Sequence, residues 1–163
     1  MLLHKDDHFI YNCRVAVKLP NNVYLDTAPY PYPVEGMVYY SEDMRTKVEI
    51  NFVETEKGAK FFLESVAEEL ETFKRLKATT KLCANGHEGY TMTYGLSREI
   101  IEEYTFAIPG ETPALLDICL TQRKEKLSDP ELYAKLQEEV LAGLSLVEND
   151  MATRNSLKLH ICY

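Results

Sequence analysis

Thr46-Lys47-Val48-Glu49-Ile50-Asn51-Phe52-Val53 alternates with a period of two: Val48, Ile50 and Phe52 fall on one side, Lys47, Glu49 and Asn51 on the other. The pattern belongs to a half-buried antiparallel strand, with one face against a core and one toward water. A few residues further on the period changes. From about Gly58 to Lys77 the apolar residues are Ala59, Phe62, Leu63, Val66, Ala67, Leu70 and Phe73. That i, i+3, i+4, i+7 spacing, with Glu64, Glu68, Glu69 and Glu71 opposite, predicts an amphipathic helix.

Upstream, Cys13 to Leu19 places Val15, Val17 and Leu19 on one face, Pro20-Asn21-Asn22 turns the chain, and Val23-Tyr24-Leu25 resumes it. Met37 to Tyr40 is a further short strand. Between them, Ala28-Pro29-Tyr30-Pro31-Tyr32-Pro33 can neither continue a helix nor sit inside a sheet. Downstream, Thr79 to Ala84 runs into Asn85-Gly86, the strongest short hairpin signal, and returns as His87 to Leu96. Ser97-Arg98 turns the chain into Glu99 to Ile108, and a loop over Pro109 to Pro113 leads to Ala114 to Thr121. Ser128-Asp129-Pro130-Glu131 then opens a second helix, with Ser128 as the expected cap and Glu131 as its capping-box partner. Its stripe is Leu132, Leu136, Val140, Gly143, Leu144 and Val147.

The connections between strands are too short for crossovers except where they contain a helix. The expected fold is therefore α+β: one antiparallel sheet whose apolar face is covered by two amphipathic helices, in the order strands–helix–strands–helix. Residues 1–163 are read as a single domain with a core over about 9–148. The tail, 149–163, ends in an alternating segment that fits an added edge strand, a contact in a homodimer or a disordered end.

This arrangement resembles the PsbP-like fold, which also includes DcrB-like proteins and a Ran-binding nuclear-transport protein. The residues that carry the likeness are Val15-Ala16-Val17-Lys18-Leu19-Pro20, the helix containing Phe61-Phe62-Leu63, the hairpin Asn85-Gly86-His87-Glu88-Gly89-Tyr90, and the end of the second helix, Gly143-Leu144-Ser145-Leu146-Val147. The resemblance covers roughly residues 9 to 148. It implies a non-enzymatic, protein-binding role, chaperone-like in some relatives, and carries no site residue with it.

Composition bounds the function. With 18 basic against 26 acidic residues the formal charge is −8, a field that repels nucleic-acid backbones and anionic membranes. Lys74, Arg75 and Lys77 end the first predicted helix, where cations complement its dipole. Met1 to His8 contains no apolar run fit for a signal peptide, so either a cytoplasmic location or a mature form whose leader has been removed is expected, the first being preferred. The four cysteines are far apart and read as reduced thiols.

No catalytic, metal-binding or cofactor constellation is legible. The histidines show no ligand spacing, and His87 and Glu88, adjacent on a strand, point to opposite faces. Glu99, Glu102 and Glu103 are read as a solvated face; Glu99 and Glu103 would stand about 13 Å apart along a strand, too far for paired-carboxylate chemistry. The tyrosines carry more information: there are eleven, and Tyr30, Tyr32, Tyr39 and Tyr40 lie close together. Prolines pre-order the segment bearing Tyr30 and Tyr32, and tyrosine suits recognition surfaces. Inward packing of these rings is the competing reading. The function that follows is a non-enzymatic protein-interaction or chaperone-like adaptor with these four as partner-binding residues. The alternative is a small-molecule-binding domain, or an enzyme whose site assembles only in space, with Tyr39, Met92, Tyr94 and Tyr104 lining an open sheet face.

Overall fold

A computed structural model describes residues 8–11, 15–26, 36–69, 80–108 and 112–146. In chain order they form β1 (His8–Tyr11), β2 (Val15–Lys18), β3 (Tyr24–Leu25), β4 (Gly36–Tyr40), β5 (Thr46–Glu54), α1 (Ala59–Glu69), β6 (Thr80–Ala84), β7 (His87–Gly95), β8 (Glu99–Ile108), β9 (Ala114–Arg123), α2 (Pro130–Ala142) and β10 (Leu144–Leu146). The architecture is α+β, with a seven-stranded antiparallel sheet in the order β3-β4-β5-β9-β8-β7-β6. The alternating strand β5 sits inside this sheet and pairs with β9 from Thr46↔Gln122 to Glu54↔Ala114. Asn85 and Gly86 both take positive φ, 47° and 79°, as the two-residue turn between β6 and β7 requires. The second half of the first predicted helix and the 149–163 tail lie outside the described residues.

The single sheet of the sequence reading is corrected by a second one, β1-β2-β10. Leu144 to Leu146, expected to prolong the stripe of the second helix, instead pairs with Val15 to Val17. Gly143 is the physical reason. Its amide donates to Glu139 O at 3.0 Å, closing α2, while its carbonyl accepts from Lys18 N at 2.9 Å. A Cβ at this position would collide with the Lys18 carbonyl. Asn85 then fastens the exit, its Nδ2 donating to Leu144 O at 2.5 Å.

The start of α2 is also corrected. Asp129 is the cap, its side chain accepting from the amides of Glu131 and Leu132. Ser128, the expected cap, is buried one residue earlier and bonds to Thr46, Asp43 and Gln122.

Strand alternation divides the core between the two faces of the large sheet. On the first, Tyr39, Val48, Ile50, Phe52, Phe106, Leu116, Ile118 and Leu120 cluster with Leu136 and Val140 of α2, and with Val17 and Leu144 of the small sheet. On the second, Met92, Tyr94 and Ile101 cluster with Leu63 of α1, flanked by Phe62 and Val66. The two helices thus belong to opposite faces, where one shared face was expected. On the second side β7 presents Tyr90, Met92 and Tyr94, and β8 adds Ile101, which gives α1 its own landing place. Burying a leucine contributes roughly 1.5–3 kcal/mol, so Leu63, which is fully buried, is the main anchor of this 11-residue helix. No helix among the described residues is long and apolar enough to cross a membrane.

Candidate functional site

The tyrosines singled out in the sequence separate. Tyr30 and Tyr32 lie outside the described residues. In β4 the alternation sends Tyr39 to the first face, opposite Val48 and fully buried, so here it serves the core and presents no ring to a partner. Tyr40 goes to the second face and is half-buried. Its cross-strand neighbours are Tyr24 on β3 and Lys47 on β5. The alternative lining does not hold together either: Tyr39 and Tyr104 are buried in the first-face cluster, Met92 and Tyr94 in the second.

What the fold assembles around Tyr40 is a polar depression of about 290 Å³ at one end of the second face. Tyr40, Lys47 and Thr121 line it as one cross-strand row over β4, β5 and β9, and the Glu99–Arg123 pair of β8 and β9 forms the next row. Met44 and Arg45 enter from the β4–β5 turn, and Lys126 from the segment leading to α2. Lys47 reaches Glu49 at 3.1 Å. Burial works against the charge of Lys47, but Glu49 outweighs it and raises the lysine pKa. Among the described residues no carboxylate lies within ion-pair distance of Arg45, Arg123 or Lys126.

Two loops distant in sequence are held together here by hydrogen bonds. Ser41 Oγ donates to Asp43 Oδ1 at 2.6 Å, and the Arg45 amide to the same oxygen at 3.0 Å. Ser128 Oγ also donates to Asp43 Oδ1, at 3.1 Å, and lies 2.6 Å from Thr46 Oγ1. Arg45 Nη1 donates to Leu127 O at 3.2 Å. No local pattern signals this site, because Arg45 and Arg123 are brought to one end only by the β5–β9 register.

A second cluster lies on the same face, enclosed. Glu103, Asp117 and Cys119 have their donor atoms within 4.8 Å of one another, and the two carboxylates are only 2% and 6% exposed. Glu103 stands opposite Cys119, and Asp117 opposite Thr105. Tyr94 OH donates to Glu103 Oε2 at 3.0 Å, and Cys119 Sγ to Asp117 Oδ2 at 3.7 Å. Burial, and then the charge of Glu103, push the Asp117 carboxyl up to about 9, so it keeps its proton at neutral pH. Burial and the two carboxylates likewise push the Cys119 thiol up, which leaves it a poor nucleophile. Two carboxylates and a thiol are donors that a divalent cation could use, yet a proton on Asp117 already relieves the repulsion between the acids. The solvated reading of the Glu99–Glu103 run is corrected. Glu103 is buried, and Glu102 accepts from Tyr133 OH at 2.8 Å and from Gln137 Nε2, tying α2 to β8.

No family model matches the chain, and no curated protein matches it. Solved structures do share the fold. One, from Bacteroides thetaiotaomicron VPI-5482, superposes with a TM-score of 0.53 at 11% identity over 90% of this chain. This chain spans only 50% of that protein. Another is LpqN, involved in cell envelope biogenesis of Mycobacterium tuberculosis, with a TM-score of 0.52 and 12% identity over 82% of this chain and 83% of LpqN. At such identity the likeness is one of fold.

Proposed function

We propose that this chain is a non-enzymatic protein-interaction domain of adaptor type, which seats its partner on the second face of the sheet over β3, β4 and β5. The observation that carries this reading is the cross-strand pair Tyr24–Tyr40. Both rings stand on the part of the face away from α1, whose neighbours are β7 and β8. Tyrosine rings fixed on a sheet offer apolar area and a hydroxyl at little entropic cost, which is what recognition surfaces use. Tyr30 and Tyr32, between β3 and β4 in sequence, are proposed as partner-binding residues on the proline-spaced pattern alone. The PsbP-like and DcrB-like resemblance, a group whose members mostly bind proteins, points the same way as analogy. The acidic charge favours a protein partner over nucleic acid or an anionic membrane surface.

The test is quantitative affinity capture with wild type, Tyr24→Ala and Tyr24→Ala/Tyr40→Ala, followed by hydrogen exchange on the purified complex. The expected result is a partner held by wild type, lost by the double variant, and protecting β3 and β4 from exchange. A partner set indifferent to both variants removes this face from the proposal. Recovery of the tagged chain in the soluble cytosolic fraction, and not with the envelope, would support the cytoplasmic expectation.

A further inference from the structure

We propose that the depression at the end of the second face is a binding site for a small molecule bearing a multiply charged oxyanion, a phosphate or a polycarboxylate.

The first argument is charge. The chain is acidic, with a formal charge of −8, yet this depression is lined by four cations, Arg45, Lys47, Arg123 and Lys126, against one carboxylate, Glu99. Lys47 shares Glu49, whereas no described carboxylate pairs with the other three. Like charges gathered round one hollow repel one another, and a bound anion relieves that repulsion. A single carboxylate would neutralise only part of the surplus, so a group of two or more charges is the better match.

The second argument is preorganisation. The guanidinium of Arg45 is held by Leu127 O, and its backbone by Asp43. Lys126 N donates to Arg123 O at 3.0 Å, which fixes the turn that presents both cations. The Thr46–Ser128 contact joins the two loops. Cations on fastened loops lose less entropy on binding than freely moving surface side chains. Buried Thr121 and half-buried Tyr40 add hydroxyls from the floor. Arginine in this setting can grip an oxyanion in bidentate fashion. The volume, about 290 Å³, is at the lower end of ligand pockets, which suits a small ligand.

The test uses the full chain, isotope-labelled, titrated at low ionic strength with sodium pyrophosphate, with citrate, and with sodium chloride at matched ionic strength. The expected result is saturable amide shifts at Tyr40, Lys47, Thr121 and Arg123 with one or both polyanions, and none with chloride. Saturation by pyrophosphate alone assigns a phosphate site; saturation by citrate alone assigns a carboxylate site. Arg45→Gln/Arg123→Gln, which removes two charge-assisted donors, should weaken binding by about tenfold or more. Lys126→Gln, which keeps every backbone bond of the turn, serves as a second variant should the double one unfold. Shifts no different from those of chloride, or affinity unchanged in a folded variant, would overturn the proposal. The depression shares Tyr40 with the proposed partner face but is not lined by Tyr24, so anion shifts that persist in Tyr24→Ala while partner capture fails tell the two readings apart.

Discussion

Asp43 and Asp117 respond to pH in opposite directions, and the reason lies in what surrounds each carboxyl. Burial works against the charge of Asp43, but hydrogen bonds from Ser41, the Arg45 amide, Ser128 and the Asp129 amide outweigh it and lower its pKa. Its contribution to stability is present above the ordinary aspartate value and fades as pH falls through the lowered one. Asp117 is the reverse case. Raised to about 9 by burial and by Glu103, it binds a proton in the folded state that the unfolded chain releases above about 3.8. That contribution is complete below about 3.8 and is lost progressively as pH rises toward about 9. Asp117→Asn keeps the shape and removes the titration. Urea denaturation from pH 5 to 9.5 should therefore show the variant gaining on wild type as pH rises, and a constant difference would contradict the assignment. A second prediction separates two neighbours. Ser128→Ala strips partners from Thr46 and Asp43 in a buried network and should cost about 1–3 kcal/mol. Asp129→Ala removes only an exposed helix cap and should cost about 1 kcal/mol. The reverse order in urea unfolding would return the cap to Ser128.

At the scale of elements, much was legible in the sequence because each signal is local. The two-residue alternation found β5 and β7, Asn85-Gly86 found its hairpin, and Pro130 found the start of α2. What escaped were features set by pairing across long separations. β1 and β10 have four and three residues, too few for a period to show, and they exist because β2 lies between them. Glu103 looked solvated because a charged residue on a strand usually is; its burial follows from the registers that bring Asp117 and Tyr94 to it. Tyr39 and Tyr40 looked equivalent, and only the face of β5 that meets β4 tells them apart. The cationic depression follows from the β5–β9 register in the same way. Gly143 tests the most compressed of these junctions. With Ala there, the added methyl meets the backbone carbonyl of Lys18, which cannot swing aside as a flexible side chain would, so β2 and α2 must separate. Gly143→Ala should cost about 1–3 kcal/mol by overpacking, read by thermal unfolding. A neutral result would mean that the small sheet yields without loss.

For the whole molecule, the unequal division of the core sets the order in which it comes apart. The first-face cluster joins β2, β4, β5, β8, β9, α2 and β10, whereas the second holds α1 chiefly through Leu63 on Met92, Tyr94 and Ile101. Local opening free energies follow buried apolar contact, so α1 should release before the sheet does. The acid cluster adds a pH dependence to that release. Thr105, the cross-strand partner of Asp117, donates to Ala59 O at the first turn of α1 at 3.4 Å, so the helix sits beside the group whose ionisation burial opposes. Above about 9 the Asp117 carboxylate gains from contact with water, and release of α1, which borders this cluster through Thr105, is the opening expected to admit it. Glu103, Glu49, Cys119 and Tyr94, the titratable groups around it, all disfavour a further negative charge when ionised. Pulsed hydrogen exchange at pH 7 and 9.5, corrected for intrinsic rates, should show protection of Ala59–Glu69 falling while that of β8 and β9 holds. Asp117→Asn should abolish the difference, and Leu63→Ala should bring the loss of protection to pH 7. Uniform loss across helix and sheet at pH 9.5 would show that the acids destabilise the fold as one unit and that α1 is not a separate opening element.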